Sequence, residues 1–258
     1  MSQPDLLLAA RHYRMYPPKS PLRQADEELV VDPGRTAILA IDVFGTDGDV
    51  PLPGYLAALP SESKREIAER RIAPALEAAR AVGISVVYVT SSAPRVEAGQ
   101  SAFGTIQSRL GVDIEKDLQE PENDPSEYVV GPASVIDFAE RLAPRSQDHY
   151  IRKLTYSGFF STRLDRLLRN LSIETVVLMG FTAETGLFCT ALDAMYIGYR
   201  VIWLRDATMA IGQTPEESER RTNRLAIWAE TDIGFTASAG DFINACTTPA
   251  GTLAGAAE

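Results

Sequence analysis

Short apolar segments alternate with amphipathic helical segments along most of this chain, and that alternation restricts the possible folds more than any other feature. The clearest apolar segment, residues 36–41, is too short for a helix and ends at Asp42. Such runs are typical of parallel strands that are buried on both faces. Strand patterns follow at residues 84–89, 150–153, 175–179, 200–204 and 233–237, with helical patterns at 61–81, 163–170, 184–197 and 216–230. The sequence therefore predicts an α/β fold, a three-layer αβα sandwich with a mostly parallel, Rossmann-like central sheet.

The body of the chain shows no break in composition, so we expect one domain over residues 34–246. Residues 1–33 are interrupted by prolines at positions 17, 18, 21 and 33. We expect them to form an irregular N-terminal arm that wraps on the body or reaches a partner subunit. The small residues at 247–258 predict a flexible tail.

Within the domain, Pro74 is expected to kink or split the helix over 61–81, and Gly83 to end it. A further helix is predicted over residues 133–142. The polar, turn-rich residues 91–131 are predicted to form a loop region or lid over a site.

Charge and residue counts exclude several classes of function. The chain has 25 Lys and Arg against 35 Asp and Glu, a formal net charge of −10, which argues against a nucleic-acid partner. Its 2 His and 2 Cys leave little for a metal site, a Ser-His-Asp triad or a disulfide framework. No apolar run approaches the roughly 18 residues of a membrane span. We therefore expect a cytoplasmic protein that acts on a small molecule, with no membrane partner.

Polar residues follow several predicted strands, at the edge of the sheet where α/β proteins bind ligands. These positions hold Asp42, Thr90, Ser91, Lys153, the turn 180–186 and Asp206.

Three of these positions suggest chemistry, each with a structural alternative. Asp42 ends a buried strand, where a carboxyl group suits proton transfer, although an Asp there also caps turns. Lys153 would stabilise that carboxylate or a developing anion, unless it is an ordinary surface lysine. The N–H groups of the turn 180–186 would bind an oxyanion or carboxylate, unless the turn is a plain strand–helix loop.

Residues 153–164 have the sequence Lys-Leu-Thr-Tyr-Ser-Gly-Phe-Phe-Ser-Thr-Arg-Leu, and the strand 176–180 and helix segment 190–194 follow at short spacing. With residues 198–201, 206–207 and Asp42, this order resembles the isochorismatase-like (cysteine hydrolase) superfamily, over residues 36–237. The resemblance implies a three-layer α/β hydrolase that forms homodimers or homotetramers. It also implies a site made of an Asp, a Lys and a Cys. Asp42 and Lys153 correspond to the first two, and the cysteine position falls on Gly186.

The missing cysteine changes the mechanism that the resemblance implies. Without a thiolate, the covalent route of the family's amidohydrolases is not available in its usual form. True isochorismatases resemble this chain in having glycine there, and this resemblance implies that the Asp protonates an enol-ether carbon before water attacks. Asp42 would then act as the general acid/base, with Gly186 leaving room for the substrate. Phe44 departs from the glutamine that the family often has two residues after the Asp.

Further residues are candidates for contact with the substrate. Glu184 is a second acid/base or a selecting charge, or else a capping carboxylate. Cys189 is a displaced nucleophile, or else a buried thiol one turn inside the helix. The other candidates are two aromatic residues on the lysine segment and two threonines of the turn, together with the aromatic residue after Asp42: Tyr156, Phe160, Thr182, Thr185 and Phe44.

Three functions remain open from the sequence, none of which requires a cofactor or metal. The first is hydrolysis of an enol-ether type by Asp42 and water. The second is a C–N hydrolase, of the ureido, carbamoyl or amide type, in which water or Cys189 replaces the nucleophile; the segment 156–160 is closer to the ureido branch. The third is a non-catalytic binding protein that kept the pocket.

Overall fold

A mixed eight-stranded sheet runs through the part of the chain that the computed structural model describes, residues 4–15, 22–44, 61–91, 138–153 and 155–248. Its strands are β1 (Leu6–Arg14), β2 (Arg23–Val31), β3 (Thr36–Ile41), β4 (Ser85–Ser91), β5 (His149–Lys153), β6 (Thr175–Phe181), β7 (Arg200–Met209) and β8 (Phe235–Ala237). The α-helices are α1 (Ser61–Ile67), α2 (Ala73–Ala81), α3 (Leu164–Asn170), α4 (Phe188–Tyr196), α5 (Pro215–Asp232) and α6 (Ala239–Thr247).

The strand order is β2-β1-β8-β7-β6-β3-β4-β5. From β8 to β5 each neighbouring pair is parallel, and β1 is antiparallel to both β8 and β2. This confirms the predicted mostly parallel α/β sheet. The chain passes from β3 towards one edge and from β6 towards the other, so its direction reverses between β3 and β6. Ligands bind at such a switch point, beyond the carboxyl ends of the strands.

Both faces of the sheet are covered, because the side chains of each central strand point alternately to two separate cores. In β3, Leu39 and Ile41 join a cluster with α3 and α4 residues. Ile38 and Ala40 join a second cluster with α2 and α6 residues. Every residue of β3 is buried, which explains its unbroken apolar sequence.

The expectation of an irregular N-terminal segment is wrong for residues 6–14 and 23–31. They form an antiparallel pair, β1 and β2, in register from Leu6 opposite Val31 to Arg14 opposite Arg23. Leu6, Leu8 and Ala10 are buried at every second position, the period of a strand that covers a core. The prolines at 17, 18 and 21 fall in the connection, outside the described residues.

A buried carboxylate attaches this hairpin to the rest of the sheet. Glu230 in α5 is 3% exposed. It accepts hydrogen bonds from Arg11 Nε (2.6 Å), Gln24 Nε2 (2.5 Å) and Thr236 Oγ1 (2.6 Å), so one side chain joins β1, β2 and β8.

The first helical segment is divided into α1 and α2 next to Pro74, in line with the expected split. A π-helical turn over residues 68–72 connects α1 to α2 directly before it, and the proline lies in the first turn of α2. Because the first turn of a helix needs no N–H donor there, proline is tolerated. Gly83 ends the segment in the left-handed conformation (φ 71°), as predicted.

Two other helical segments differ from the prediction. For the helix predicted over 133–142, residues 133–137 lie outside the described residues, and 140–142 form a short 3-10 turn. Sequence reasoning missed α6, which begins with a capping box between Ser238 and Asp241. The predicted lid over 91–131 also lies outside the described residues, apart from Ser91 at the end of β4.

Candidate active site

Asp42 and Lys153 form a buried ion pair at the switch point of the sheet. Lys153 Nζ lies 2.7 Å from Asp42 Oδ2, and the two side chains are 2% and 8% exposed. Asp42 follows β3 and Lys153 ends β5, and β4 between them brings Ser91 to the same edge. The backbone N–H of Ser91 donates to Asp42 Oδ1 at 2.6 Å and its hydroxyl donates to Oδ2 at 3.0 Å. Lys153 also donates to the Ser91 hydroxyl.

The backbone holds Asp42 in an unusual conformation. Its φ of 48° lies in the left-handed region, which Asp and Asn occupy more readily than most residues. Its N–H donates to Val89 O at 3.0 Å, which ties the end of β3 to β4. The carboxylate is therefore presented at the sheet edge by a bend in the chain.

The turn after β6 approaches the end of β3 closely. A Cβ on Gly180 would lie 1.9 Å from Ile41 O, and its φ is 122°, so only glycine fits there. A Cβ on Gly186 would lie 3.0 Å from Ile41 Cγ2, 3.1 Å from Phe181 O and 3.5 Å from Asp42 Oδ2. Gly186 therefore faces the Asp42 carboxylate, and its lack of a side chain leaves space there.

The lysine segment is fastened to the helix that follows this turn. Gly158 N–H donates to Thr190 Oγ1 at 2.9 Å, and that hydroxyl donates to Gly186 O at 2.6 Å. Ser157 Oγ donates to Asp193 Oδ2 at 2.5 Å. A side chain on Gly158 would come within 2.9 Å of Val89, so glycine permits this close packing. These contacts bring Lys153, Gly186 and Asp42 into one site.

Cys189 is half-buried in α4, one turn beyond Gly186. Burial raises the pKa of the Cys189 thiol and the Asp193 carboxylate raises it further, whereas Lys153 lowers it. A reactive thiol needs the opposite shift, because the thiolate is the nucleophile. Cys189 thus lies close to the site without the electrostatics of a nucleophile.

Glu184 and the two threonines shape the turn itself. Glu184 Oε1 accepts the backbone N–H of Ile211 at 2.7 Å, which ties the turn to the segment after β7. Glu184 Oε2 is buried with no hydrogen-bond partner among the described residues. The hydroxyls of Thr182 and Thr185 lie 2.5 Å apart, and Thr182 is 2% exposed.

The predicted aromatic residues lie in different environments. Phe44 is 4% exposed and packs in the core cluster that includes α2 and α6, whereas Phe160 is 57% exposed. Tyr156 is half-buried. Asp206 accepts the N–H of Ala239 at 2.6 Å at the start of α6 and pairs with Arg71 at 3.6 Å. Contact of Phe44, Tyr156 and Phe160 with a substrate stays a prediction.

Sequence reasoning missed Lys64, which is buried near Asp42. It is 2% exposed, and its ammonium donates to Phe44 O at 3.0 Å. Burial lowers the pKa of Lys64 to about 8, and the Asp42 carboxylate raises it against that effect. The sequence feature that could have pointed to Lys64 is the small number of lysines. The chain has four, Lys19, Lys64, Lys116 and Lys153.

The described residues contain neither a cluster of metal ligands nor a helix that could span a membrane. No group of three or more His, Cys, Asp or Glu side chains there is arranged to hold a metal ion. None of the described helices has the length and apolar character needed to cross a membrane.

The fold and the buried pair of Asp42 and Lys153 define this chain as an α/β protein with a buried carboxylate–ammonium pair at the switch point of its sheet. Comparison with known proteins identifies the family. The isochorismatase domain matches residues 52–230, more than half of the chain, so the chain belongs to the isochorismatase family and is a hydrolase. Asp42 lies ahead of the matched range.

Solved structures of the family share the fold. A cysteine hydrolase from Pseudomonas syringae pv. phaseolicola matches with a TM-score of 0.67 at 22% identity, over 84% of this chain and 94% of that one. N-carbamoylsarcosine amidase from Thermoplasma acidophilum matches with a TM-score of 0.53 at 22% identity, over 80% and 96% of the two chains. At these identities the likeness shows the fold alone.

Curated relatives carry a more specific name. The ureidoacrylate amidohydrolase RutB of Rhizobium rhizogenes is 29% identical over 84% of this chain and 85% of its own length. The protein of the same name in Pseudomonas syringae pv. syringae is 28% identical over 90% of each chain.

Proposed function

We propose that the protein hydrolyses a C–N bond in a small ureido, carbamoyl or amide compound, with water as the nucleophile and Asp42 as the general base. The observation that carries this proposal is the environment of the Asp42 carboxylate. Ser91 and Lys153 donate to it, and a Cβ at Gly186 would lie only 3.5 Å from Oδ2. The site therefore offers a proton acceptor beside space that a side chain would otherwise fill.

The choice of a C–N bond rather than an enol ether rests on the names of similar curated proteins that align with this chain. The sequence favoured an enol ether, whereas relatives that align over most of this chain are named ureidoacrylate amidohydrolases. The arrangement at Asp42 supports the same choice. Its described hydrogen-bond partners are donors, which suits a carboxylate that takes a proton better than an acid that gives one to carbon.

The reaction follows from these groups. Asp42 takes a proton from water while the water oxygen attacks the carbonyl carbon, which forms a tetrahedral oxyanion. Lys153 and the N–H groups of the turn after β6 stabilise that negative charge. Asp42 then returns the proton to the leaving nitrogen and the C–N bond breaks. For a ureido group the products are an amine and a carbamic acid.

Cys189 does not replace the missing thiolate in this mechanism. Burial and the Asp193 carboxylate raise the pKa of its thiol, so little thiolate is present near neutral pH. It lies one helical turn beyond the residue that faces Asp42. We assign it a place in the wall of the site, where its role is packing.

Enol-ether hydrolysis is the second candidate, and Gly186 favours it. True isochorismatases resemble this chain in having glycine at that position. Asp42 would then protonate the enol-ether carbon and water would attack the resulting oxocarbenium ion. Both candidates use Asp42 and water without a thiolate, and they differ in whether Asp42 first accepts or first donates a proton.

A substrate panel with matched variants tests the proposal. Wild-type protein is assayed on ureido acids, N-carbamoyl amino acids, primary amides and carboxylated enol ethers. We expect turnover of a C–N substrate, a fall in kcat/KM of about 100- to 10,000-fold in Asp42→Asn, and none in Asp165→Asn, an exposed control. Asn also tolerates the left-handed backbone, so the substitution preserves the bend. Cys189→Ala and thiol alkylation should leave turnover unchanged.

Other outcomes would redirect the assignment. Loss of activity in a folded Cys189→Ala variant would establish displaced thiol chemistry. Turnover of enol ethers alone would select the second candidate. No turnover on any compound, with a ligand still bound by Asp42→Asn, would identify a binding protein.

A further inference from the structure

Lys64 is a buried cation that the proposed reaction does not use. The two lysines in the described residues, Lys64 and Lys153, are each only 2% exposed, although lysine is rarely buried. Removing an ammonium group from water is costly unless nearby groups compensate. The groups that surround the Lys64 ammonium therefore indicate the role of this residue.

The Lys64 ammonium contacts both strand ends that meet at the switch point. Nζ donates to Phe44 O at 3.0 Å, on the segment that leaves β3. It also lies 5.3 Å from the ring centroid of Phe181, the last residue of β6, and 5.9 Å from that of Phe44. A cation over aromatic rings at this range is attracted to their faces. The Asp42 carboxylate also acts on it, raising its pKa against the effect of burial.

The bend that carries Asp42 is thus held on both sides. Asp42 N–H is bonded to Val89 O, and two residues later Phe44 O is bonded to Lys64. Between these two attachments the chain adopts the left-handed conformation at Asp42. A local strain of this kind persists only where the surroundings hold it in place.

We propose that Lys64 is a positioning residue of this site: its ammonium group fixes the backbone at Phe44 and so presents the Asp42 carboxylate to Lys153 and to the substrate. Its charge also stabilises the negative Asp42 carboxylate, with which it interacts electrostatically. The inference rests on the proposed function, because it gives Lys64 a part in the same reaction.

Other charged groups near α1 lie on a different side of it. Arg205 and Asp206 of β7 line a cavity of about 340 Å³ with Ser63 and Ile67. Arg71 pairs with Asp206 at 3.6 Å. Asp42 is the charged group that affects the pKa of Lys64 among the described residues.

Removing the ammonium should lower the rate more than substrate binding. We expect Lys64→Met to reduce kcat by about 10- to 100-fold with a change in KM below about threefold, because a displaced base acts mainly in the transition state. The control is Arg65→Met, which removes an exposed cation from the same helix, and its kcat should match wild type. Equal kcat in Lys64→Met and Arg65→Met would overturn the proposal.

The pH profile separates a positioning charge from simple packing. Deprotonation of Lys64 near pH 8 should cause kcat to fall on the basic side. Lys64→Arg keeps the charge, so its basic fall should move to higher pH even if its maximal rate is lower. A basic fall at the same pH in Lys64→Arg would contradict the role of Lys64.

A direct titration distinguishes failure of this inference from failure of the proposed function. The Nζ resonances of the four lysines can be followed by NMR, with Lys64→Arg assigning the signal. In Asp42→Asn the pKa of Lys64 should fall below its value of about 8, since the carboxylate that raises it is gone. An unchanged pKa would refute the coupling whatever the substrate. Absence of C–N turnover with the coupling intact would refute the proposed function alone.

Discussion

Replacing Gly186 with alanine should strongly reduce kcat/KM, whereas the protein should remain folded with a modest loss in its free energy of unfolding. The new methyl group would lie 3.0 Å from Ile41 Cγ2 and 3.1 Å from Phe181 O, tighter than ordinary contact. Overpacking of this kind costs about 1–3 kcal/mol. The higher helix propensity of alanine offsets about 1 kcal/mol of this cost. The free energy of unfolding should therefore fall by about 0–2 kcal/mol, which lowers the melting temperature by at most about 8 °C.

The effect on catalysis comes from a third contact of the new methyl group, with the Asp42 carboxylate. The methyl carbon would lie 3.5 Å from Asp42 Oδ2, in the space where water must approach to within about 2.8 Å of the carboxylate. We expect kcat/KM to fall by about 100-fold, which corresponds to about 2.7 kcal/mol in the activation free energy.

Kinetics and thermal unfolding of the same preparations measure both effects. The control is Gly240→Ala, where the nearest atom would be Ser238 Oγ at 3.6 Å, an ordinary contact. It should leave kcat/KM unchanged. Wild-type kcat/KM in Gly186→Ala would refute the reasoning, because the space beside Asp42 would then have no part in the reaction.

Four substitutions test the packing and electrostatics of the fold. Glu230→Gln removes a buried charge that pairs with Arg11 at 2.6 Å, and chemical denaturation should show a loss of about 2–4 kcal/mol. Asp148→Asn breaks an ion pair whose side chains are 5% and 2% exposed, and should cost about 3–5 kcal/mol, whereas Asp165→Asn breaks an exposed pair and should cost much less. Burial lowers the pKa of Lys64 from its ordinary value of 10.5 to about 8 in the folded protein. Between these two pH values the unfolded chain binds more protons, so the free energy of unfolding should rise with pH across that window. The unfolding free energy of wild type relative to Lys64→Met should increase by about 3 kcal/mol from pH 7 to pH 11, and a flat difference would contradict the pKa shift.

The parallel sheet could be predicted because its signals are local. Residues 36–41 are apolar at every position, and only a strand buried on both faces needs that pattern. Once the strands were known, Asp42 and Lys153 followed as residues at the carboxyl ends of two strands of the same sheet, and the structure places them 2.7 Å apart. The distance itself depends on the order β3-β4-β5, which no local pattern contains.

The N-terminal hairpin shows where local reasoning fails. Residues 6–10 are all apolar and the prolines that follow suggested an irregular segment, whereas the structure buries Leu6, Leu8 and Ala10 at alternate positions of a strand. Pairing with β2 and the bonds of Glu230 stabilise this strand. Glu230 is remote in sequence, and the pairing with β2 spans the proline-containing connection, so contacts beyond the local pattern decided the structure of this segment.

The sequence by itself determined the α/β alternation, the strand ends that carry Asp42 and Lys153, and the absence of a cysteine at Gly186. These features depend on residue type and short-range period, which the chain carries whatever its packing. The tertiary structure decided that a Cβ at Gly186 faces Asp42 and that Lys64, from a helix after β3, returns to the backbone at Phe44. The physical reason is that burial and close approach arise only when distant segments pack together. The same packing sets the pKa of Lys64, because both its desolvation and the opposing field of Asp42 exist only in the folded chain.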